Sequence, residues 1–362
     1  MEREPNPAEV APVALPWPGV DRPGGGRPGP AVRLGTSVVR AGTCSWADRA
    51  LVASGRFYPR RTMSAAERLA WYGGRLPLAE LTTTYRYPPT PEVCAQWAAR
   101  APDGLVFDVR AWSLLGGNPT FPDSLWPDLQ DQVLPACRPR RRLYPGHLPS
   151  AALDECWARF AGAVAPLRRA GRLGAVIIQY PGWFSPRPEA WAELERAARR
   201  LPGQHVAVEL GNPRWWEGDA CETTLEFLEH RDLAVVCHDG PGTGPGTSVV
   251  AATTDLAVVR FVGRPAPGED RWTTPYRYTG EELEGWVPRI VDLASSASEV
   301  HLLVDTGPGP GAVEAATTLL GLVEAEGKGP PRRGAPGPGA RPGPRQGPSG
   351  APSTSAEATT EP

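Results

Sequence analysis

Between residues 36 and 326 the chain alternates two kinds of pattern. Short runs of aliphatic and β-branched residues are followed by longer stretches with apolar positions at helical spacing. The short runs predict strands at Val38–Trp46, Ala79–Tyr87, Leu105–Ala111, Leu173–Tyr180, His205–Asn212, Leu233–Asp239, Leu256–Gly263 and Glu299–Thr306. The longer stretches predict helices at Ser64–Leu76, Pro91–Ala101, Ala152–Ala170, Pro188–Leu201, Asp219–His230, Glu281–Ser296 and Gly311–Glu326. Ser64 and Glu67 have capping-box spacing, and Pro91 stands where a helix tolerates proline, at its first position.

Many of the strands are continuous apolar runs, as expected when both faces of a sheet are covered. Eight such strands with helices between nearly all of them predict an α/β fold, a TIM (β/α)8 barrel. The rival is an open doubly wound sheet. Repeated polar residues at strand C-terminal ends favour the barrel. A segment of about forty residues, Trp112–Ala151, interrupts the pattern after strand 3 and carries Pro119, Pro122, Pro127, Pro135 and Pro139. Loops of this length often serve as lids or binding loops.

Composition sharpens the boundaries. The chain of 362 residues holds 44 Pro and 41 Gly. Residues 1–35 carry 8 Pro and 6 Gly, and residues 327–362 carry 9 Pro and 8 Gly, so both ends are expected to be disordered tails around a 36–326 domain. Glycine shows no three-residue period, which excludes collagen, and 13 Trp with 41% apolar residues exclude a wholly disordered chain. A net charge of −2 gives no global field toward nucleic acid or membrane. The basic residues Lys328, Arg332, Arg333, Arg341 and Arg345 suit a solvated linker better than RNA contact.

The cysteines, Cys44, Cys94, Cys137, Cys156, Cys221 and Cys237, form no CxxC pair and fit no zinc template. Cys94, Cys156 and Cys221 fall in helical patterns as small buried hydrophobes. Residues 1–30 lack an apolar run, so no signal peptide is expected, and no window is apolar enough to span a bilayer. The expected setting is cytoplasmic.

Several segments occur together in order: GTCSW at 42–46, FYP at 57–59, AELTTTY at 79–85, LVFDVRAWSLLGGNPT at 105–120, LGAVIIQYPGWF at 173–184, VAVELGNPRWW at 206–216, VVRFVGR at 258–264 and YRYTGEELEGW at 276–286. The set resembles the YecE-like family, domain of unknown function 72, over about 38–326. PRRRLYPGHLP in the long loop resembles an actinobacterial branch of it. The resemblance implies a TIM barrel and supplies no reaction. Four positions depart from the family pattern. Gly211-Asn212 replaces Arg-His, and Val262-Gly263-Arg264 replaces His-Gly-Arg. Asp305-Thr306 replaces an asparagine pair, and Thr82 replaces an acidic or amide residue. Both imidazoles that the family places at the mouth are therefore missing from those positions.

The functional face of such a barrel is built from strand C-termini and the loops after them. Polar strand residues are Glu80, Asp108, Arg110, Gln179, Glu209, Asp239, Arg260 and Asp305. Glu209 alternates with Val208 and Leu210 and shares its face with Ala207 and Gly211, which turns it toward the axis. Asp108 and Arg110 share a face for the same reason. A polar pocket follows, with Glu209 and Asp239 as catalytic candidates. Glu80, Tyr85, Arg110, Gln179, Arg260, Arg264 and Asp305 are the ligand-binding candidates. Arg suits an anion because its planar fork makes paired hydrogen bonds. The structural alternative is an ion-pair network of Glu209, Arg260 and Arg110.

The expected activity is hydrolysis of an anionic or phosphodiester substrate, with a small anionic ligand or nucleic-acid fragment as partner. The alternative is a non-catalytic ligand- or partner-binding module. Glu80, Glu209 and Asp239, with Trp46, Tyr85, Tyr180 and Trp183 to stack on a sugar, raise a glycosidase variant. No cofactor is called for. A divalent metal held by Glu209, His238, Asp239 and Asp305 is weakly supported, because His238 and Asp239 alternate in one strand. His147 lies in the long loop, His230 in a helix, and His205 and His301 near strand starts, the stability face. Cys44 reads as an inert thiol. Trp71, Trp97, Trp157 and Trp191 sit at helical spacing and read as packing residues. HDGPGTGPGT at 238–247 opens no helix and is not a dinucleotide fingerprint. DTGPGPG at 305–311 leads into a helix and suggests a phosphate site, with Arg264 as a nearby cation, although Pro308 and Pro310 remove two donors.

Overall fold

Strands made of small and β-branched residues build the centre of the molecule. In the computed structural model, which describes residues 31–239, 249–264 and 274–328, nine strands form one sheet. They are β1 (Val32–Leu34), β2 (Ser37–Thr43), β3 (Leu78–Leu81), β4 (Val106–Arg110), β5 (Leu173–Tyr180), β6 (His205–Leu210), β7 (Leu233–His238), β8 (Leu256–Phe261) and β9 (Glu299–Val304). From β2 to β9 every neighbour is parallel. Pairing of Val38 with Glu299 through Thr43 with Val304 closes the ring. The result is the expected eight-stranded barrel with helices around it.

β1 adds an antiparallel strand to the outside of β2, with Leu34 opposite Ser37. Residues 32–34 were expected to belong to the disordered tail. The Val-Arg-Leu run pairs because it meets the open strand edge through a two-residue turn. Of the expected tails, residues 1–30 and those beyond 328 lie outside the described residues, as does most of the glycine-rich stretch 238–247. The described residues up to Gly327 form one compact unit.

The strands alternate with a period of two residues, as the Glu209 strand was expected to. Leu78, Ala175, Ile177, Ala207, Ala234, Val236, Val258 and Leu303 pack together inside the barrel. The intervening Val39, Ala79, Phe107, Val176, Val208, Val235, Val259 and Leu302 face the helices. Helix starts follow local chemistry: Ser64 and Glu67 make both bonds of the capping box, and Thr90 caps the helix Pro91–Arg100. The stretch expected as one helix, 281–296, forms two, Gly280–Glu284 and Val287–Ser296. Gly285 and Trp286 separate them, and Pro288 suits the first turn of the second. AELTTTY yields only three strand residues, Ala79, Glu80 and Leu81, because Thr83–Tyr85 turn away as a 3-10 segment held by the Thr84 hydroxyl on Leu81 and Arg110 carbonyls.

The long segment after β4 is not a free lid. Trp112, Leu114, Leu115, Leu125, Leu129, Val133, Leu143 and Leu148 are all buried in the core. Thr120 and Leu143 exchange backbone hydrogen bonds across it. Its prolines start short helical turns at Pro122, Pro127, Pro135 and Pro145.

At the opposite end of the barrel from the mouth, His301 sits fully buried between two carboxylates. Its Nδ1 lies 3.0 Å from Asp108, and its Nε2 lies 3.0 Å from Glu299, which also pairs with Arg40. Gly174 makes room for this cluster, since a Cβ there would stand 2.5 Å from Asp108 Oδ1 and 2.6 Å from His301 Cε1. His301 therefore belongs to the stability face, as its place near a strand start predicts.

Candidate active site

Each barrel strand sends one polar side chain to the C-terminal mouth. In order they are Cys44, Glu80, Arg110, Gln179, Glu209, His238, Arg260 and Asp305. Strand register explains the set: Gln179 pairs with Glu209 across β5 and β6, and His238 pairs with Arg260 across β7 and β8.

Glu80 is the hub. Arg110 grips it with Nε at 2.9 Å and Nη2 at 3.1 Å. Arg260 grips it with Nη1 at 2.7 Å and Nη2 at 2.9 Å. Four charge-assisted bonds thus hold a carboxylate that no solvent reaches. Burial works to raise the Glu80 carboxyl, but Arg110 and Arg260 outweigh it and hold it far below the usual range. The same carboxylate keeps Arg260 charged against the desolvation that would lower it.

Glu209 is held differently. Gln179 Nε2 donates to its Oε1 at 2.9 Å, and His238 Nε2 lies 3.5 Å from the same oxygen. Its Oε2 is 3.1 Å from Arg260 Nε, close enough for an ion pair. The N–H is not aligned on that oxygen, so neither atom has a hydrogen-bond partner among the described residues. Burial raises the Glu209 carboxyl; Arg260, then His238 and Arg110, overcome it and leave the acid ionised below its ordinary value. Asp305 closes the ring 3.5 Å from Arg110 and 3.7 Å from Arg260.

The expected ion-pair network is therefore present, but it centres on Glu80 rather than Glu209. The arginines expected to clamp an anion are engaged by carboxylates. Two guanidinium groups against Glu80, Glu209 and Asp305 leave the mouth one negative charge when His238 is neutral. Cys44 accepts from Arg260 Nη1 at 3.2 Å, and burial, then Asp305 and Glu80, push its thiol well up, as an inert thiol requires.

Two of the expected site residues, Asp239 and Arg264, stand apart from this ring, while Tyr85 lies within electrostatic reach of Arg110 and Glu209. Asp239 points away from the axis, where it accepts from the Val262 amide and the Tyr278 hydroxyl. Burial raises its carboxyl. The alternation of β7 accounts for this: Ala234 and Val236 face inward, so His238 does too, and Asp239 turns outward. Arg264 lies on the exposed rim and pairs with Glu282 at 3.5 Å. Tyr85 is half-buried in its 3-10 turn; burial raises its hydroxyl while Arg110 works to lower it. Among the aromatics expected to stack on a sugar, Tyr180 stacks on Phe184 inside the core and Trp46 packs edge-on against Trp97. Only Trp183 is left exposed.

Sequence reasoning named His238 only as a ligand of a weakly supported metal and did not place it in the polar pocket. The signal that places it is the two-residue period of the strand: once Ala234 is turned inward, Val236 and His238 share its face. Among the described residues, no three His, Cys, Asp or Glu side chains converge to hold a metal ion. No helix among them is long and apolar enough to cross a membrane.

The loop after β4 supports this ring from above. Asn118 Nδ2 donates to the Gln179 carbonyl at 2.6 Å. Gly116 approaches the same carbonyl so closely that a Cβ would stand 2.3 Å from it. SLLGGNPT therefore fixes the end of β5, and with it the amide that holds Glu209.

Comparison with known proteins gives one consistent answer. The family described as "Protein of unknown function DUF72" matches residues 40–340. UPF0759 protein YunF of Bacillus subtilis (strain 168) is 23% identical over 307 residues, spanning 81% of this chain and 97% of its own. A DUF72 family protein from Enterococcus faecalis V583 superposes with a TM-score of 0.62 at 21% identity, covering 79% of this chain and 95% of that one. Another from Thermotoga maritima MSB8 gives 0.60 at 20% identity, covering 79% and 99%. At these identities the solved structures speak for the fold alone. The match over residues 40–340, on a closed parallel barrel of this build, makes the chain a member of the DUF72 family.

Proposed function

We propose that the barrel mouth is an acid–base site acting on an uncharged polar substrate, with hydrolysis the reaction class to test first. The observation that carries this reading is the Glu209–His238 contact of 3.5 Å, next to a carboxylate oxygen that lacks a hydrogen bond. Glu209 is ionised and desolvated, the condition for a base or an electrostatic anchor. His238 is partly exposed at the opening and carries the group best suited to move a proton near neutral pH. Gln179 orients the carboxylate, and Arg260 keeps it charged.

An anionic or phosphodiester substrate has less support. The two guanidinium groups that would bind it spend their donors on Glu80, and the remaining charge of the mouth repels an anion. The six unbridged cysteines fit a reducing, cytoplasmic setting.

A second reading, a binding module without turnover, is favoured by the same saturation. Arg110 and Arg260 are committed to Glu80, which leaves Glu209 and His238 as the pair offered for chemistry. The test is a panel of glycosides, esters, amides and phosphodiesters assayed with the parent chain, Glu209→Gln and His238→Asn. The acid–base reading expects turnover that falls by about 10²-fold or more in both variants. Turnover indifferent to both variants contradicts it. Binding without turnover, retained in Glu209→Gln, favours the module.

A further inference from the structure

The segment between β4 and the helix Ser150–Arg169 leaves the C-terminal end of the barrel and carries Arg-Pro-Arg-Arg-Arg at 138–142. All of these arginines are exposed. Arg138 is spent on the segment itself, donating to the Val133 and Asp131 carbonyls. The others stand out from a fixed backbone. Thr120 and Leu143 exchange hydrogen bonds of 3.0 and 2.8 Å, and Arg140 N donates to the Cys137 carbonyl at 3.1 Å.

Two contacts tie this run to the turn after β3. The Arg142 guanidinium lies 3.6 Å from the centre of the Phe121 ring, and Arg86 approaches the same ring at 5.9 Å. Next to Arg86, Tyr87 is 47% exposed, and its hydroxyl reaches Asp123 Oδ2 at 3.3 Å. Arg86, Tyr87, Phe121 and Arg140–Arg142 thus form one patch.

The arginines of the patch are unspent. Arg86, Arg140, Arg141 and Arg142 pair with no carboxylate among the described residues, whereas Arg159 in the following helix holds both Asp128 and Glu155. Arg86, Arg140 and Arg141 also donate no side-chain hydrogen bond among those residues, and Arg142 gives one, to the Arg141 carbonyl. Four guanidinium charges stand against the carboxylates of Asp123 and Asp131, because Asp128 is already held by Arg159. Burial, then Arg140, lower the His147 imidazole, so that ring stays neutral at pH 7.

We infer that this patch is a docking surface for single-stranded nucleic acid, with Arg86, Arg140 and Arg141 on its phosphates and a base stacked on Tyr87. Free guanidinium groups beside an open aromatic ring are the two components such a surface needs, since cations track the backbone and rings take the bases. A duplex keeps its bases stacked on one another and offers none to Tyr87. An acidic membrane or peptide would use the arginines and leave the ring idle. With a net charge of −2 on the whole chain, the attraction is local to the patch. The inference does not depend on the acid–base reading of the mouth.

The test is fluorescence anisotropy of the full chain with labelled oligo(dT) and oligo(rU) of about 12 nucleotides, titrated between about 50 and about 200 mM salt. An oligo(dT)–oligo(dA) duplex of that length and phosphatidylserine vesicles serve as rival partners. The variants are Arg140→Gln combined with Arg141→Gln, and Tyr87→Ala. These side chains are exposed, so melting followed by circular dichroism should be unchanged. The expected result is binding of a single strand that weakens with salt. The slope of log affinity on log salt should be shallower by about 1.4 in the double arginine variant, at about 0.7 per phosphate contact. Tyr87→Ala should weaken binding about 5-fold or more and leave that slope unchanged. No single-strand binding at the lower salt overturns the inference. So does binding that the double arginine variant leaves unchanged, which would place it elsewhere on the chain. Indifference to Tyr87→Ala, or equal affinity for the duplex or the vesicles, makes the patch a general polyanion surface and overturns the single-strand assignment.

Discussion

Arg260 and Glu80 face each other inside the barrel through two parallel bonds, Nη1 to Oε2 at 2.7 Å and Nη2 to Oε1 at 2.9 Å. Neither side chain is open to solvent, and Arg110 completes the grip from the other side. A buried ion pair of this kind is weak grounds for claiming net stabilisation, but breaking it from one side strands the remaining charges. Glu80→Ala leaves two guanidinium groups without their counter-ion. The expected loss is about 3–5 kcal/mol, measured by urea unfolding. A loss below about 1 kcal/mol, the range of exposed pairs, would contradict the hub role of Glu80.

The lower cluster gives the fold a pH dependence whose sign follows from its partners. Burial lowers the His301 imidazole, but Asp108 and Glu299 outweigh it and raise it to about 9 from 6.5. A raised cation means that folding favours the protonated form. Its contribution is complete below about pH 6.5 and is lost as pH climbs through about 9. The shift corresponds to on the order of 3 kcal/mol. Unfolding free energy measured between pH 6 and 10 should fall across that window in the parent chain. His301→Gln should flatten the fall; an unchanged slope in that variant would assign the effect elsewhere. Glu299, lowered to about 2 by His301 and Arg40 against burial, works at the other end. Its contribution is present above about pH 4.5 and fades as pH drops through about 2.

Gly116 tests how the long loop positions the site. A Cβ at 2.3 Å from the Gln179 carbonyl forces backbone to move, since neither atom belongs to a flexible side chain. Gly116→Ala should cost about 1–3 kcal/mol, the range for overpacking. It should also disturb the Gln179–Glu209 bond, visible as a shift of the Gln179 side-chain amide resonances. Gly146→Ala, in the same segment with open space around its Cβ, should leave both unchanged.

Much of this architecture is legible in the residues. Alternation of small and bulky positions marks the inner face of β6 and places Glu209, whereas β7 has valine on both faces and His238 is placed only once Ala234 is seen to point inward. The barrel follows from strand count and from apolar runs covered on both sides. Other features are not local. Val32–Leu34 reads as part of a Pro/Gly tail until its pairing with Val39 and Ser37 is seen. That Arg110 and Arg260 are spent on Glu80 depends on closing the ring, which brings residues 180 positions apart within hydrogen-bond distance. The Trp112–Ala151 segment reads as a loose loop because its prolines break regular structure, while its buried side chains are scattered too irregularly for a periodic signal.

The central claim is that Glu80 is a strut and Glu209 is a working group, although both are buried carboxylates on the same arginine. It needs no substrate to test. Unfolding free energy at pH 7 is to be measured for Glu80→Gln and Glu209→Gln beside the parent chain. The account expects Glu80→Gln to lose about 3 kcal/mol or more, since an amide cannot accept four charge-assisted bonds. It expects Glu209→Gln to lose clearly less, since Glu209 gives up one 3.1 Å ion pair with Arg260 where Glu80 gives up four charge-assisted bonds. Equal, large losses in both would make Glu209 a structural member of the same network and would remove the basis for chemistry at the mouth.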